Sequence, residues 1–261
     1  MVDSRFDGRL LADHVRRLPS MAFSSADGRQ YVVSGPWRHR DDIAELIEAS
    51  RGALRPELVE AVADSLVRIG YRLLILDYSV EANDPAFFRG AQFQLVERIL
   101  EYERFEAPID IRPLPGRFAI RPYNGEERPE VLQVEKKSFP WLWWNSYDEW
   151  DRYVVTPGVE VLVGWVDDRV VGYAGFSVHR RDGHLDRLAV AEDVQGRGLG
   201  ASLLAASLAR MAERGARHTS LTTQEQNIRS QKLYEQNGFR RGRWGYDIFG
   251  RWLDATKGTV R

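Results

Sequence analysis

One short stretch constrains the fold of this chain more than any other: VQGRGLGASLL, residues 194–204. It follows a run with strand character and opens a run with helical spacing. The glycines at 196, 198 and 200 let backbone N–H groups approach one point without obstruction by side chains. These groups and the helix dipole make a site suited to an anion such as a diphosphate, and Arg197 adds positive charge. The alternative interpretation is a glycine-rich turn that serves only as a tight connection.

Two known phosphate-binding motifs can be compared with this turn. A P-loop needs Lys followed by Ser or Thr after its last glycine, whereas Ala201 and Ser202 follow Gly200 here, so that motif is absent. GRGLGA does satisfy the dinucleotide pattern G-x-G-x-x-A. That pattern, however, places its glycines directly after a strand and an acid at the end of the next strand. Here AEDVQ intervenes and the next strand ends in Thr222 and Thr223, so dinucleotide binding is the weaker alternative.

The second half of the chain alternates strand and helix patterns in the order βα–ββ–βα–βα–β. The predicted elements are a strand at 118–123, a helix at 127–139, two strands at 159–168 and 169–180 joined by a hairpin, a strand at 184–190, a helix at 198–215, a strand at 218–223, a helix at 227–239, and a last strand or strand pair at 240–253. This order predicts a mixed α/β fold with one continuous sheet.

The first half carries a faint copy of the end of the second. The aligned pairs are 58–78 with 203–223 and 86–104 with 232–250. Apolar positions match, Gly70 falls on Gly215, and Phe93 falls on Phe239. A helix–strand–helix–strand unit is thus predicted to occur twice, although any two βαβ units share part of this pattern by chance.

Prolines and a glycine cluster at EAPIDIRPLPGR, residues 106–117, as is typical of a linker. The sequence therefore predicts an accessory domain at 1–115 and a main domain at 116–261. The accessory domain is the partial copy, and nothing like the glycine-rich turn precedes its residues 58–78.

Composition excludes several classes of protein. The formal net charge is −1, so no global field recruits nucleic acid or a membrane surface. No apolar run is long enough to span a bilayer, and MVDSRFDGRL lacks the apolar core of a signal peptide. Cysteine is absent, which excludes disulfides, thiol nucleophiles and cysteine zinc sites and fits a reducing cytoplasm. We expect a cytoplasmic protein with no metal and with no nucleic-acid or membrane partner.

Two segments in order and at matching spacing resemble one family. LAVAEDVQGRGLGASLL resembles the acetyl-CoA-binding motif Q/R-x-x-G-x-G/A of the GNAT superfamily of N-acetyltransferases, and NIRSQKLYEQNGF resembles its next motif. The matching residues are Gln195, Gly198, Gly200, Asn227, Ser230, Tyr234, Gly238 and Phe239. The resemblance covers roughly residues 118–250. It implies a GNAT-like mixed sheet with flanking helices, preceded by a partial, degenerate GNAT-like domain.

The resemblance also implies where acetyl-CoA binds. The strand before the glycine turn would pair with the pantetheine arm, which acts as an added strand, and the amides of the turn would hold the diphosphate. The thioester would enter where this strand splays from HTSLTT. The cofactor-binding residues implied are Leu188, Ala189, Val190, Gln195, Gly196, Arg197, Gly198, Leu199, Gly200, Ala201, Asn227 and Ser230. Arg229 and Lys232 are further candidates, for the ribose phosphate.

Direct acetyl transfer needs a base for the amine, donors for the oxyanion and an acid for the thiolate. The resemblance implies Tyr234 as the acid, with simple packing as its alternative, and the Val190 amide as the oxyanion donor. Many GNAT enzymes carry a glutamate eleven residues before the Gln/Arg, a position that His184 occupies here. Asp186 lies on the same side of a strand as His184. Weaker candidates for the base are Glu160, Glu135 and a water chain.

PWLWWNSYDEW, residues 140–150, lies between the first helix and the second strand of the predicted domain, on the acceptor side of a GNAT cleft. Our hypothesis is that Trp141, Trp143 and Trp144 line the pocket of the amine acceptor, because aromatic faces hold cationic or planar groups. The alternative is that tryptophans at this spacing pack a helix onto the sheet.

These features together predict an acetyl-CoA-dependent N-acetyltransferase that moves an acetyl group to a primary amine of a small molecule or peptide. The alternative is a non-catalytic acyl-CoA-binding regulatory module. In the first half Phe88 takes the place of Tyr234 and has no proton to donate. An unpaired sheet edge left by a partial copy would favour a homodimer.

Overall fold

A computed structural model describes residues 21–25, 28–49, 55–76, 89–105 and 118–253. The chain divides into two compact units. The amino-terminal unit comprises residues 1–97 and 246–259, and the carboxy-terminal unit comprises residues 98–245 with the last two residues of the chain. The domain boundary at 115/116 stays a prediction, because residues 106–117 are outside the described part of the chain.

The strands are, in chain order, β1 (Met21–Ser24), β2 (Tyr31–Pro36), β3 (Ile43–Ala49), β4 (Leu73–Leu76), β5 (Gln94–Phe105), β6 (Phe118–Pro122), β7 (Val159–Val166), β8 (Arg169–His179), β9 (Asp182–Val190), β10 (His218–Gln224) and β11 (Arg240–Trp252). The α-helices are α1 (Pro56–Arg68), α2 (Arg128–Ser138), α3 (Tyr147–Val154), α4 (Leu199–Glu213) and α5 (Ile228–Gln236). Both lists are restricted to the described residues.

The amino-terminal unit is a sheet with the order β1-β2-β3-β4 followed by residues 246–252 of β11. β3 and β4 run parallel, with α1 between them in sequence, and the other pairs are antiparallel. Val59, Val62 and Leu66 of α1 are buried together with strand residues such as Leu74. The helix forms here because its apolar side chains recur at helical spacing and Pro56 begins it.

The first part of the predicted repeat, a helix followed by a glycine and a strand, occurs in both halves, whereas the second helix of the first copy was predicted to begin at residue 86, outside the described residues. α1 is followed by Gly70 (φ +97°) and β4, just as α4 is followed by Gly215 (φ +90°) and β10. Glycine adopts this left-handed backbone conformation at little cost, so each glycine ends its helix and turns the chain into the strand. Phe93 and Phe239 are both buried and directly precede the long strands β5 and β11. Phe88 lies outside the described residues.

The carboxy-terminal unit is a mixed sheet whose order begins with residues 240–245 of β11 and continues β5-β10-β9-β8-β7-β6. β9 and β10 are parallel and are joined through α4, whereas β10 pairs antiparallel with β5 and the strands from β6 to β9 are antiparallel. α4 packs on one face through Leu203, Leu204 and Leu208. α2 and α3 pack on the other through Val131 and Trp150. The predicted mixed α/β sheet with flanking helices is confirmed.

One pairing in this sheet was not predicted. β5 belongs to the first half of the sequence, yet its residues 98–105 lie between β10 and residues 240–245 of β11. Leu100 and Tyr102 of β5 are part of the core beneath α4. The carboxy-terminal unit therefore contains a strand that the sequence places before the predicted linker.

The elements predicted for the second half are present with small shifts at their ends. β7 and β8 form the predicted hairpin, which turns at Asp167 (φ +51°), and the last segment is one long strand. The tryptophan-rich segment differs from a single helix: it forms a 3-10 turn at Trp141–Trp143, a short extended link and then α3. No helix in the described part of the chain is long and apolar enough to cross a membrane.

Candidate active site

The parallel strands β9 and β10 separate along their length. Their pairing joins residues 182–185 to 218–221, and each strand then continues, to Val190 and Gln224 respectively, with no pairing across the gap among the described residues. β9 stays paired with β8 up to Val190 on its other side. The family resemblance implied this splay, and it leaves one edge of residues 186–190 open to an extended ligand.

The glycine-rich turn lies at the carboxyl end of β9, beside this splay. Gly196 has φ +77° and Gly198, which caps α4, has φ +93°. A Cβ atom at Gly196 would meet nothing within 4 Å, so the turn has open space around it. Among the described residues, the backbone amides of 196–201 donate to no backbone carbonyl. Unpaired amides at the start of a long helix fit the diphosphate of a CoA ester.

The two motifs that carry the family resemblance are in contact. Gln195 donates through Nε2 to the Val190 carbonyl (2.7 Å), which fixes the turn against the end of β9. Arg229, in the first turn of α5, donates to the Gln195 side-chain oxygen and so lies beside the turn. Asn227 caps α5, accepting from the Ser230 amide (3.2 Å). Arg229 therefore adds positive charge next to the anion site, whereas Lys232 is exposed.

Tyr234 of α5 is 6% exposed and belongs to the core beneath α4. Its ring lies 6.2 Å from that of Tyr102 and 6.0 Å from that of Phe239. Burial raises the pKa of Tyr234 to about 12, and a hydrogen bond with Ser230 opposes the shift. The hydroxyl therefore keeps its proton at neutral pH, as a proton donor requires.

A bulge in β9 decides which side chains face the acceptor side of the sheet. Pairing with β8 passes from Leu185 directly to Arg187, so Asp186 has no opposite residue on β8. Leu185 belongs to the core beneath α4, whereas Asp186 contacts α3 and Arg187 contacts α2. Asp186 and His184 thus lie on the same face, opposite α4. The bulge re-aims Arg187, which simple alternation would place under α4.

Asp186 and His184 have separate hydrogen-bond partners. Asp186 accepts from the Tyr153 hydroxyl (2.8 Å) and from Ser177 (3.2 Å). His184 Nδ1 lies 2.8 Å from the Ser220 hydroxyl. Burial raises the pKa of Asp186, and the Tyr153 hydrogen bond opposes the shift. A carboxylate with a raised pKa binds a proton more strongly than an ordinary aspartate, which suits a general base.

The tryptophan-rich segment is held by a buried ion pair. Glu135 of α2 is fully buried, lies 3.2 Å from Arg187, and accepts from the amide and side chain of Asn145 and from the Tyr173 hydroxyl. Arg187 in turn donates to the Trp143 carbonyl (2.6 Å). These bonds connect α2, β8 and β9 to the segment around Trp143.

The four tryptophans of this segment have different environments. Trp150 is fully buried and donates to the Tyr123 hydroxyl (3.1 Å). Trp141, Trp143 and Trp144 are only partly buried, and Trp144 donates to the Phe139 carbonyl (2.8 Å). Trp150 is therefore a core residue, while the other three keep surface available to a ligand. That they line the acceptor pocket stays a prediction.

The two weaker candidates for the base have structural partners. Glu135 forms the buried ion pair with Arg187. Glu160 lies 2.8 Å from Arg210 of α4 and 3.5 Å from Arg214, on the side of the sheet away from Asp186. Among the described residues there is no group of three or more side chains suited to hold a metal ion.

Sequence reasoning missed Tyr153, Ser177, Ser220 and Arg187. One signal for Tyr153 was present in the sequence, namely Gly175 in the interior of β8. A Cβ atom at this position would overlap the Tyr153 hydroxyl. A glycine inside a strand often marks such a close approach.

Comparison with known proteins places part of this chain in a family. The family model described as "Acetyltransferase (GNAT) family" matches residues 123–239. This segment is a GNAT acetyltransferase domain. It spans β7 to β10, the glycine-rich turn and the helix that carries Tyr234, so both motifs noted in the sequence lie inside it.

Two curated relatives are acetyltransferases. A Bacillus subtilis protein, provisionally named a [ribosomal protein bS18]-alanine N-acetyltransferase, is 28% identical over 126 residues, which are 48% of this chain and 82% of the relative. The mycothiol acetyltransferase of Saccharopolyspora erythraea is 26% identical over 185 residues, 64% of this chain and 59% of the relative. The chain thus spans less than two thirds of the second relative. Both relatives are named as acetyltransferases, of different acceptors.

Solved structures extend the likeness to the amino-terminal unit. A GCN5-related N-acetyltransferase from Sphaerobacter thermophilus matches with a TM-score of 0.64 and 14% identity, over 95% of this chain and 86% of that protein. A tandem GNAT protein from the clavulanic acid biosynthesis pathway matches with a TM-score of 0.61 and 13% identity, over 91% of this chain and 85% of that protein. Because the sequence identities are this low, the matches show a shared fold alone. The shared fold supports a GNAT-like part in the first half of the chain.

Proposed function

We propose that the protein is an acetyl-CoA-dependent N-acetyltransferase that modifies a primary amine of a small molecule or peptide. The observation that carries the proposal is the meeting of three features at one end of β9. These are the unpaired edge of residues 186–190, the glycine-rich turn with its unpaired amides, and the positive charge of Arg229. An extended CoA ester needs a strand edge for its amide groups and an anion site for its diphosphate.

Acetyl-CoA, when bound, supplies an acetyl thioester that an amine can attack directly, with CoA leaving as a thiol. The protein must then bring the amine close, accept its proton and protonate the departing sulfur. Tyr234 is the proposed donor to the sulfur, because its raised pKa keeps the hydroxyl protonated. The Val190 amide is the proposed donor to the oxyanion. No covalent attachment to the protein is required, which fits the absence of cysteine.

The proposed base is Asp186, with His184 beside it on the same face of β9. Asp186 occupies the bulge where the splay begins, and its pKa is raised by burial. Tyr153 and Ser177 orient its carboxylate. Trp141, Trp143 and Trp144 are proposed to line the acceptor side, held in place by the Arg187 contact to the Trp143 carbonyl.

The amino-terminal half is proposed to be a degenerate copy. It keeps the helix–glycine–strand arrangement but has no glycine-rich turn before residues 58–78 and has phenylalanine at the position of Tyr234. We infer that only the carboxy-terminal unit binds acetyl-CoA. A single saturable site per chain supports this inference, and two equivalent sites would contradict it.

The experiment is a thiol-release assay of the purified protein with acetyl-CoA and a panel of amines. The protein has no cysteine, so every new thiol comes from CoA. Amine-dependent release, with an acetamide product seen by mass spectrometry, is the expected result. Saturable acetyl-CoA binding without transfer to any amine would favour the non-catalytic acyl-CoA module instead.

A further inference from the structure

Three ionisable side chains form a line on one face of β9. Asp182, His184 and Asp186 follow one another at every second position, so each lies about 7 Å from the next along the strand. The side chain of Asp182 is 73% exposed, whereas Asp186 is partly buried and is the first residue beyond the stretch paired with β10. The line therefore runs from the proposed base to solvent, with His184 in the middle.

The neighbours of Asp186 restrict how a proton leaves it. One carboxylate oxygen accepts from the Tyr153 hydroxyl of α3 (2.8 Å) and the other from Ser177 of β8 (3.2 Å). Arg187, the next residue of β9, is a cation and accepts no proton. Of the side chains described next to Asp186 on α3, β8 and β9, the imidazole of His184 is the group whose type both accepts and releases protons near neutral pH.

Ser220 of β10 fixes the ring of His184. The two residues are opposite each other in the parallel pair, and the Ser220 hydroxyl lies 2.8 Å from Nδ1 of His184. Their neighbours Leu185 and Leu221 belong to the core beneath α4, so His184 and Ser220 both point to the acceptor face. The bond occupies Nδ1 and leaves Nε2 as the nitrogen that can exchange a proton with its surroundings.

Asp186 and His184 interact electrostatically. Burial raises the pKa of Asp186, and the Tyr153 hydrogen bond and a positive charge on His184 oppose the shift. The positive charge acts on the carboxylate because the two side chains are neighbours on one face of the strand. A proton on His184 therefore favours an ionised Asp186, which is the state that a base must regain after each turnover.

The charged groups farther along this face are acidic or paired with acids. Glu101 and Glu103 of β5 lie on the same face, one strand beyond β10. His218 lies 3.5 Å from Glu103 and 3.2 Å from Asp182. These carboxylates stabilise a protonated His184 on the side that leads to solvent.

The reaction leaves one proton to be removed in each turnover. A primary ammonium group carries three protons on nitrogen, and the amide product carries one. Of the two that leave, one ends on the sulfur of CoA and the other goes to solvent. A base that keeps this second proton cannot act in the next turnover.

We propose that His184 takes this proton from Asp186 and passes it to solvent, and that Ser220 is a positioning residue that holds the imidazole for the transfer. In this step Asp186 loses a proton, and His184 gains it at Nε2 and releases it to water. Only O–H and N–H bonds change. The inference rests on the proposed function, because it takes Asp186 as the base.

The test separates proton removal from acetyl transfer. Acetyl transfer governs kcat/KM for the amine, whereas removal of the proton after transfer affects kcat alone. His184→Ala should therefore lower kcat by at least about tenfold in dilute buffer and change kcat/KM little. Imidazole added to the assay should restore kcat with saturation, since it carries the proton in place of the side chain. The assay is thiol release from acetyl-CoA with the fastest amine of a panel that includes 2-phenylethylamine and n-butylamine.

His179→Ala is the matched control for His184→Ala. His179 is an exposed histidine of β8, opposite Asp182 and outside the line on β9. This variant should keep the wild-type kcat and, like the wild type, should not respond to imidazole. Ser220→Ala should lower kcat without lowering kcat/KM, and Ser220→Thr, which keeps a hydroxyl, should regain it. An unchanged Tm in each variant excludes misfolding as the cause.

The other outcomes overturn the inference. Equal losses of kcat and kcat/KM in His184→Ala, or a loss of kcat that imidazole does not restore, overturn the relay while acetyl transfer stands. An unchanged kcat in His184→Ala at every buffer concentration does the same. A wild-type kcat in Ser220→Ala overturns the positioning role of Ser220. Absence of thiol release by the wild type with every amine of the panel overturns the proposed function and the relay together.

Discussion

At the scale of single residues, the Tyr234→Phe variant tests whether Tyr234 donates the proton to the leaving sulfur. Tyr234→Phe removes one hydroxyl and keeps the ring packed against Tyr102 and Phe239. We expect kcat to fall by roughly 10²- to 10⁴-fold, the usual contribution of a general acid, while acetyl-CoA affinity and Tm change little. Steady-state kinetics and thermal unfolding measure the two effects.

Tyr102→Phe is the matched control, since it removes a hydroxyl from the same aromatic cluster. That hydroxyl lies 3.1 Å from Glu235 and is not assigned to the reaction. An equal loss of kcat in both variants would show that packing, and not proton donation, explains the effect.

The proposed role of Asp186 as the base predicts how kcat/KM depends on pH. If it is the base, kcat/KM falls as pH is lowered through its pKa, which burial raises above that of an ordinary aspartate. The Tyr153 hydroxyl stabilises the ionised carboxylate, so Tyr153→Phe removes an effect that lowers this pKa. The acid limb of the profile should therefore move to higher pH in Tyr153→Phe.

The Asp186→Asn variant is the control for this pH profile. Asp186→Asn should lose most activity at every pH, because it cannot accept the proton. An unmoved acid limb in Tyr153→Phe would point to His184 or a water chain as the base.

At the scale of elements, helix α4 has a glycine in the left-handed conformation at each end, and the two positions form a matched pair. Gly198 begins α4 with φ +93° and Gly215 follows its end with φ +90°. Alanine at either position takes on a left-handed backbone, which costs about 1–2 kcal/mol of folding free energy. Only Gly198→Ala should also weaken acetyl-CoA binding, by at least tenfold, because its strain shifts the amides that face the diphosphate.

Gly215→Ala measures the backbone cost alone. Isothermal titration and denaturant unfolding of both variants separate binding from stability. Similar affinities in the two variants would contradict the assignment of the turn.

The buried ion pair between α2 and β9 should matter for stability more than for the reaction. Arg187→Met leaves the fully buried Glu135 without its counter-ion, so we expect a loss of about 3–5 kcal/mol in the free energy of unfolding. Adding Glu135→Gln removes the stranded charge and keeps one side-chain oxygen that can still accept from the Asn145 amide. The double variant should recover most of the loss in urea unfolding, and a double variant no more stable than Arg187→Met would contradict this account.

At the scale of the whole molecule, β5 makes the carboxy-terminal unit depend on the first half of the chain. Its Leu100 and Tyr102 are part of the core beneath α4. A chain that begins at residue 116 lacks this strand and leaves β10 without its antiparallel partner. We expect residues 116–261 to be insoluble or to unfold without cooperativity, whereas residues 93–261 unfold cooperatively. Recovery of a soluble, fully active 116–261 fragment would contradict this expectation.

The signals that predicted this molecule correctly are local. The glycine-rich turn, the hairpin at Asp167 and the two family motifs each lie within a few tens of residues, where periodicity and turn chemistry decide the structure. The position of β5 is not local, because its partner β10 is more than a hundred residues away and strand periodicity does not name a partner.

The candidate site also combines features that local sequence signals predict with features that only tertiary contacts determine. Motif spacing and the family resemblance are what predict Tyr234 and the glycines as site residues, whereas the contact of Tyr153 with Asp186 depends on a bulge in β9 and a glycine in β8. The packing of Leu100 and Tyr102 beneath α4 depends on the insertion of β5. Tertiary pairing decides both, so no pattern within either segment predicts them.

The most direct test of the account is calorimetric titration of the full chain with acetyl-CoA, with CoA and NAD titrated alongside. We predict saturable binding of acetyl-CoA at one site per chain, weakened at least tenfold in Gly198→Ala and retained in Gly215→Ala, with no binding of NAD. Absence of acetyl-CoA binding would contradict the proposed cofactor site and the transfer reaction together, and binding of NAD in its place would favour the dinucleotide interpretation of the glycine-rich turn.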